Sequence, residues 1–233
     1  TICLVGSEMC IRDRACSVST EIDFVVNPLP SFTVDDDTIV CLNLPPIPIG
    51  VTSAEAEYTY TWEHKDLNGN LSPFPTSGPT IDIGVGGTYY VTATTTDGTN
   101  CSRTLSIDVE ESIIATITPN DITVEDLTSD NNNTITIDPT NLGIGDYEYA
   151  IDDLTGPYQN DPFFEQVRPG IHTIYVRDKN GCGIAQIDVS VIGYKKFFTP
   201  NGDGIHDTWR ILGIREDFQP CLLYTSDAAD EVV

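Results

Sequence analysis

The chain has 233 residues, of which 36 are Asp or Glu and 11 are Lys or Arg, so its formal net charge is −25. Such an acidic surface lacks the basic footprint that a phosphate backbone requires, which argues against nucleic acid as a partner. Because no apolar run approaches the roughly 20 residues that span a bilayer, the sequence predicts no transmembrane segment.

The two ends of the chain have related coding sequences. Residues 9–14 read MCIRDR and residues 221–226 read CLLYTS. A DNA strand that encodes the first, once reverse-complemented and shifted by one base, encodes CLLYT, the first five residues of the second. That DNA resembles the transposase adaptor used in sequencing libraries. We therefore expect residues 1–14 and 221–233 to be non-native, and the remainder to be an open-ended fragment of a longer protein.

Short runs of alternating apolar and polar residues dominate the interior of the chain. Four of them lie at residues 58–63, 88–95, 134–137 and 172–176, and clusters of Gly, Pro, Asn and Asp separate them. A period of two is typical of a half-buried strand, and no helical apolar period persists for three turns. The sequence therefore predicts an all-β chain of tandem sandwich modules.

A repeat of about 80 residues organises these strands. Cys16, Cys101 and Cys182 align with one another, and each opens an alternating strand. A Gly-initiated strand and a polar hairpin turn precede both Cys101 and Cys182. The repeat predicts the last strand of one module and then two complete modules, at residues 15–29, 30–111 and 112–193.

Cysteines are candidates for stabilising these modules, because a module of about 80 residues has a small core. Cys41 lies on the first core strand of the first complete module, Trp62 on the next alternating strand, and Cys101 at the start of the last strand. This order is typical of an immunoglobulin-like core in which a disulfide packs on the indole. We predict a Cys41–Cys101 disulfide, with two buried thiols as the alternative. The pairing of Cys16 and Cys182 stays open.

The most specific motif lies near the C-terminus, where residues 191–209 read VIGYKKFFTPNGDGIHDTW. Residues 145–214 resemble the segment that precedes and enters the gliding motility-associated C-terminal domain, which is the type B sorting domain of the type IX secretion system. Residues 30–111 look like the PKD-like and Ig-like repeats of the same surface proteins. The resemblance places the start of a truncated sorting domain at residues 194–220. Its motif residues are Phe198, Thr199, Pro200, Asn201, Gly202, Asp203, Gly204 and Asp207.

This resemblance implies a large secreted protein that is attached to the cell surface at the outer membrane and is linked to gliding motility or adhesion. Its β-sandwich repeats would project an adhesive region, and its intact sorting domain would engage the type IX secretion machinery. The sorting domain of this family continues for several tens of residues past the motif. We therefore expect the chain as written not to be exported.

Two alternative functions stay open. The modules themselves are candidates for binding surface glycans, other cells or calcium, and Tyr58, Tyr60, Trp62, Phe163 and Phe164 are candidates for stacking on sugars. Strand alternation places about half of these aromatic residues in the core. The other alternative is that the fragment is the stalk of a secreted polysaccharide- or protein-degrading enzyme whose catalytic domain lies upstream.

The sorting motif also has some features of a calcium loop. Asn201, Asp203 and Asp207 fall at alternate positions that present oxygen atoms. However, Thr199 stands where the first Asp of such a loop belongs and Arg210 where its closing Glu belongs. Because calcium takes six to eight oxygen ligands, the motif supplies a half-site at most. The alternative is a simple turn in which Asn and Gly supply positive φ angles.

Signatures of enzymes are missing from the sequence. GVGGTY at residues 84–89 fails the dinucleotide-binding pattern, and no G-x-S-x-G, H-E-x-x-H or Walker sequence occurs. His64, His172 and His206 lack the spacing of metal ligands, and His172 is expected to face outward on its strand. We therefore predict a protein that is not an enzyme and that requires no cofactor, calcium aside.

Overall fold

Regular structure in this protein is almost entirely β-strand, which confirms the all-β prediction. The chain divides into two compact units, Thr1–Glu111 and Ser112–Val233, and each is described by itself. The structure is a computed structural model, and it describes residues 3–4, 26–127, 132–194, 199 and 211–214.

The first unit contains a sandwich of a five-stranded and a two-stranded sheet. The strand order is β3-β9-β8-β5-β6 in the larger sheet and β4-β7 in the smaller one, and β1 pairs with β2 separately. The strands are β1 (Cys3–Leu4), β2 (Val26–Asn27), β3 (Thr38–Cys41), β4 (Ile47–Gly50), β5 (Tyr58–Lys65), β6 (Leu71–Pro73), β7 (Thr80–Ile83), β8 (Gly87–Thr95) and β9 (Ser102–Ser112).

The first core lies between these two sheets because each strand buries every second side chain. On β8, Tyr89, Val91 and Ala93 are fully buried, while the residues between them are half-buried. Trp62 on β5 is 2% exposed, and its indole N–H donates a hydrogen bond to the Gly78 carbonyl oxygen at 2.8 Å. The prediction that Trp62 lies on a core-facing strand is therefore confirmed.

Gly87 begins β8 at a position that no other residue fits. Its φ is +128°, and an added Cβ would lie 2.4 Å from the Lys65 carbonyl oxygen. Gly87→Ala is therefore expected to lower the free energy of unfolding by about 3 kcal/mol, through backbone strain and this backbone clash together. Gly98→Ala is the matched control, because Gly98 has a φ of +89° and nothing within 4 Å of an added Cβ.

Urea unfolding of the two glycine variants separates the cost of backbone strain from the cost of the steric clash. Gly98→Ala should lose only the strain of a positive φ, about 1–2 kcal/mol. An equal loss in both variants would contradict the close approach of β5 and β8 at Gly87.

Tyr89 makes the first core sensitive to alkali. Its buried hydroxyl donates a hydrogen bond to the Val85 carbonyl oxygen at 2.9 Å. Burial, with the Glu111 carboxylate nearby, raises the pKa of Tyr89 from 10.0 to about 12. Because the folded-state pKa is the higher one, the stability contributed by the neutral phenol is complete below pH 10 and is lost as the pH rises toward 12.

Urea unfolding at stepped pH tests this effect of Tyr89. The free energy of unfolding should fall by about 3 kcal/mol across the window, at 1.36 kcal/mol for each pH unit of pKa difference. Tyr89→Phe has no phenol to ionise, so its pH profile should be flatter than that of the parent protein by that amount. Identical slopes for the two proteins would contradict the raised pKa.

The second unit repeats the sandwich with two three-stranded sheets. Their strand orders are β10-β11-β13 and β12-β14-β15, and a two-stranded ladder, β16-β17, follows. The strands are β10 (Ile122–Glu125), β11 (Asn133–Ile137), β12 (Tyr147–Ile151), β13 (Phe163–Val167), β14 (Gly170–Asp178), β15 (Ile184–Val191), β16 (Gly193–Tyr194) and β17 (Ile211–Leu212). Single 3-10 turns lie at Pro119–Asp121 and Pro139–Asn141.

The second core has the same origin as the first. Ile135 and Ile137 of β11 face Ile174 and Val176 of β14, and all four are at most 1% exposed. The β14–β15 hairpin is the longest ladder of this unit, with antiparallel pairing from Gly170 opposite Val191 to Arg177 opposite Ile184. This hairpin carries Cys182, the third of the aligned cysteines, at its turn.

Candidate functional site

The sorting motif lies largely outside the described residues. Of its residues, only Thr199 is described, and it is exposed. The other motif residues, which include the three candidate calcium ligands, lie outside the described part of the chain. They are Phe198, Pro200, Asn201, Gly202, Asp203, Gly204 and Asp207.

The described residues on either side of the motif pair with each other. Gly193 lies opposite Leu212, and Tyr194 lies opposite Ile211, in an antiparallel ladder. The ladder is attached to the end of β15, because the Ser190 hydroxyl donates a hydrogen bond to the Gly213 carbonyl oxygen. The segment that carries the motif therefore starts and ends beside the last strand of the second sandwich.

Three described cysteines of the sandwiches are disulfide-bonded: Cys41, Cys101 and Cys182. Cys101 is fully buried and Cys182 is 2% exposed. The alternative of two buried thiols in the first module is therefore wrong. Cys182, whose bonding state the sequence left open, is also oxidised.

Cys101 lies at one end of the first sandwich. It immediately precedes β9, and its carbonyl oxygen accepts a hydrogen bond from the Thr95 amide at 3.0 Å. The antiparallel ladder of β8 and β9 starts beside it, with Thr94 opposite Ser102. Cys101 therefore belongs to the hairpin turn between these two strands.

Cys41 lies toward the opposite end of the same sandwich. It is the last residue of β3, and β3 is a neighbour of β9 in the five-stranded sheet. Just before β3, the Asp37 carboxylate accepts a hydrogen bond from the Asp108 amide at 2.8 Å. The start of β3 is therefore level with the distal part of β9.

The chain that follows Cys41 stays at this distal end. After a turn, Pro46 reaches the β7–β8 turn, where a Cβ on Gly84 would lie 3.6 Å from its ring. In the same turn, the Gly86 amide donates a hydrogen bond to the Glu111 carboxylate at 2.8 Å. The end of β3, the β7–β8 turn and the end of β9 therefore lie together.

The predicted Cys41–Cys101 disulfide stays a prediction, and the length of β9 bears on it. Strands rise about 3.3 Å per residue, so the Asp108 end of β9 lies about 20 Å from the Cys101 end. A disulfide requires the two Cα atoms to lie within about 7 Å. Cys41 and Cys101 are both bonded, and the ends of the sandwich at which they lie are farther apart than this distance.

A side-chain oxygen holds the backbone amide of the cysteine in each hairpin. The Cys101 amide donates a hydrogen bond to the Thr95 hydroxyl at 3.1 Å, and the Cys182 amide donates one to the Asp178 carboxylate at 3.0 Å. Asp178 is 1% exposed, and its second oxygen accepts a hydrogen bond from the Ser112 hydroxyl at 2.8 Å. Each oxygen therefore fixes the turn that carries a bonded cysteine.

Replacing Asp178 tests how much this buried carboxylate stabilises the hairpin. Asp178→Ala leaves the Ser112 hydroxyl and the Cys182 amide without this acceptor, which should cost about 2–4 kcal/mol of unfolding free energy. Asp153→Ala is the control, because exposed Asp153 accepts two hydrogen bonds, both from Thr155. Water replaces the lost acceptor there, so urea unfolding should show a much smaller change than for Asp178→Ala. Similar losses in both variants would contradict the role of burial.

His172 does not face solvent, and the outward orientation expected from the sequence is wrong. Its side chain keeps 12% of its accessible surface. The ring Nδ1 lies 2.7 Å from an Asp152 carboxylate oxygen, and the Nε2 lies 2.6 Å from the Arg168 carbonyl oxygen. The imidazole is therefore enclosed between the loop after β12 and the turn before β14.

Tyr58 is the aromatic candidate for sugar stacking that reaches a groove on the first unit. Tyr60 and Trp62 are at most 5% exposed and belong to the core. Tyr58 lines one groove of about 690 Å³ with Glu55 and the core residue Tyr60, and a second groove of about 260 Å³ with Glu57. Both grooves are open to solvent, and carboxylates and threonine hydroxyls line them around the Tyr58 ring.

Within the described ranges, no group of three or more His, Cys, Asp or Glu side chains is placed to hold a metal ion. The described residues also contain no helix of the length and apolar character that a membrane crossing requires.

No family model matches the chain, and no curated protein matches it. Among solved structures, the chain is similar to the crystal structure of DIP-gamma IG1+IG2, with 8% identity and a TM-score of 0.37 over 70% of this chain and 97% of that one. For murine CEACAM1b the identity is 9% and the TM-score 0.38, over 69% and 98%. For the Clostridium thermocellum CbhA fibronectin(III)-like modules they are 15% and 0.29, over 69% and 94%. These likenesses concern the fold alone, which the sheets themselves define as two immunoglobulin-like β-sandwiches.

Proposed function

We propose that the chain is a fragment of a large secreted cell-surface protein whose β-sandwich modules lead into a type B sorting domain of the type IX secretion system. The modules space an upstream adhesive region from the cell, in gliding motility or adhesion. The sorting domain, when complete, engages the secretion machinery and attaches the protein to the outer membrane surface. The fragment itself carries no catalysis.

The disulfides are the observation that supports secretion most. All three cysteines described in the sandwiches are oxidised, and structural disulfides persist in oxidising compartments outside the cytosol. The acidic surface, with a net charge of −25, suits a protein that stays dispersed at a cell surface. Tandem sandwiches of this class are typical of surface and adhesion proteins.

Recovery of the uninterrupted gene tests this proposal. The reading frame should continue past residue 220 into the rest of a type B sorting domain. It should also extend upstream of residue 15 through further repeats of about 80 residues. A stop codon directly after residue 220, or an upstream catalytic domain without repeats, would overturn the spacer function.

Glycan binding at the two grooves beside Tyr58 is a second candidate function. The half-buried Tyr58 ring offers an apolar face, and the Glu55 and Glu57 carboxylates are acceptors for sugar hydroxyls. The same carboxylates repel anionic polymers, so the ligand on this proposal is an uncharged oligosaccharide.

Calorimetric titration with neutral oligosaccharides tests the grooves. Cellopentaose, laminaripentaose and mannopentaose serve as probes, with a pentamer of galacturonic acid as the anionic comparison. Binding of a neutral probe that Tyr58→Ala removes and Tyr90→Ala keeps would support the site, since Tyr90 lies on the other face of β8. Absence of binding for all neutral probes at millimolar concentration would contradict it.

Calcium binding at the sorting motif remains a proposal for the intact domain. Asn201, Asp203 and Asp207 supply three oxygen-bearing side chains, fewer than the six to eight ligands calcium takes, so the rest of the domain has to complete the site. Titration of the full sorting domain with calcium, compared with an Asp203→Asn variant, tests it.

A further inference from the structure

The disulfides of this protein do not close within the sandwiches that carry them. Between residues 26 and 111 the sequence contains two cysteines, Cys41 and Cys101, and both are disulfide-bonded. They lie at opposite ends of the first sandwich, separated by about 20 Å of β9 or more. Neither is therefore the partner of the other.

We infer that each end of the first sandwich is cross-linked by its own disulfide to a cysteine outside residues 26–111. The chain has seven cysteines, so five others remain as partners. Cys16 and Cys182 lie in the native part of the chain, and Cys3, Cys10 and Cys221 lie in the segments expected to be non-native. The same reasoning applies to Cys182, because it is the single cysteine among residues 112–127 and 132–194 and is also bonded. The cross-links therefore connect each sandwich to chain segments beyond its own sheets.

The β8–β9 and β14–β15 hairpins fix the backbone at Cys101 and Cys182. Thr95 and Asp178 hold the amides of Cys101 and Cys182 with side-chain oxygens at 3.1 and 3.0 Å. Both cysteines lie outside the strands, Cys101 directly before β9 and Cys182 two residues before β15. An internal staple of an immunoglobulin core would instead join two strands across the sheets.

Two separate cross-links have a mechanical consequence that one internal staple lacks. A tie at each end of the sandwich shortens the length of chain that is released when the protein is pulled from its termini. This suits a module that transmits force, although the inference itself does not depend on the proposed function.

The oxidation chemistry is that of ordinary disulfide exchange. Each bond forms when two cysteine thiols lose two protons and two electrons, and glutathione disulfide accepts them and becomes two glutathione thiols. The test below uses this oxidant to bring the purified full chain to its equilibrium pairing.

Peptide mapping under non-reducing conditions tests the inference directly. Trypsin and Glu-C together release Cys41 on residues 22–55 and Cys101 on residues 66–103, with no second cysteine on either peptide. Mass spectrometry should find each of these peptides joined to a different third peptide. A peptide pair that links residues 22–55 to residues 66–103 would overturn the inference.

Thiol counting in cysteine variants gives an independent answer. In C41S/C101S, separate bonds leave two partner thiols exposed, so alkylation after denaturation should find two more free thiols than in the parent protein. A mutual Cys41–Cys101 bond would leave the count unchanged. Because the two released partners can themselves pair, C41S and C101S are also measured singly, and the released thiol should lie outside residues 22–55 and residues 66–103 in both variants. Release of Cys101 in C41S and of Cys41 in C101S contradicts the inference.

Discussion

Reducing the oxidised protein with dithiothreitol is expected to lower its free energy of unfolding by about 2–5 kcal/mol for each bond lost. Cys41, Cys101 and Cys182 are all disulfide-bonded, and three bonded cysteines take part in at least two bonds. Each bond limits the conformational freedom of the unfolded chain, and reduction removes that limit. Urea unfolding with and without reductant measures the difference.

The cores should survive this reduction. Trp62, Tyr89 and Val91 pack between the sheets of the first unit, and their burial does not depend on a disulfide that crosses that core. The reduced protein should therefore keep a cooperative unfolding transition and the near-UV circular dichroism of a packed core. Complete unfolding on reduction in the absence of urea would show instead that the disulfides hold the fold together.

Replacing Trp62 with Ala should cost about 3–5 kcal/mol, the range for deleting a large buried aromatic side chain. The indole is 2% exposed and packs in the first core, and its N–H bonds the Gly78 carbonyl oxygen at 2.8 Å. Trp62→Ala removes both the packing and this hydrogen bond. Circular dichroism is the measurement of choice, because the substitution also removes a fluorophore.

Trp62→Phe separates the two contributions of the indole. It keeps much of the apolar volume and leaves the Gly78 carbonyl oxygen without its partner, so it should cost about 1–3 kcal/mol. A loss below 1 kcal/mol for Trp62→Ala would contradict the position of Trp62 in the core.

Strand positions could be predicted from the sequence because one face of each strand is buried. A half-buried strand requires an alternating pattern, and a shift by one residue would expose the whole apolar set. The alternating run at residues 58–63 lies in β5, and the run at residues 88–95 lies in β8. The runs at residues 134–137 and 172–176 lie in β11 and β14 for the same reason.

The disulfide partners could not be predicted, because sequence order contains no strand direction. Cys41, Trp62 and Cys101 follow one another as in an immunoglobulin core. The end of the sandwich at which each cysteine lies depends on β3 joining β9 in the sheet, with Asp37 level with Asp108. That pairing joins residues about 70 apart in the chain, and no local pattern encodes it.

The orientation of His172 was missed for a related reason. Its place in an alternating run is clear, but its enclosure comes from Asp152 and Arg168, which lie in two separate turns. Asp178 was not singled out either, since one Asp among 36 acidic residues is unremarkable in the sequence. Its position directly before a hairpin turn that ends in Cys182 is a signal that sequence reasoning can use.

Localisation of the intact parent protein is the measurement that tests the central proposal most directly. An epitope inserted at Gly69, in the exposed turn after β5, would report surface exposure by antibody labelling of unbroken cells. We predict labelling in a type IX-competent strain and its loss both in a strain without the secretion machinery and in a protein that ends at residue 220. Equal labelling in all three, or an epitope that is found in the cytoplasm of the competent strain, would contradict the proposal.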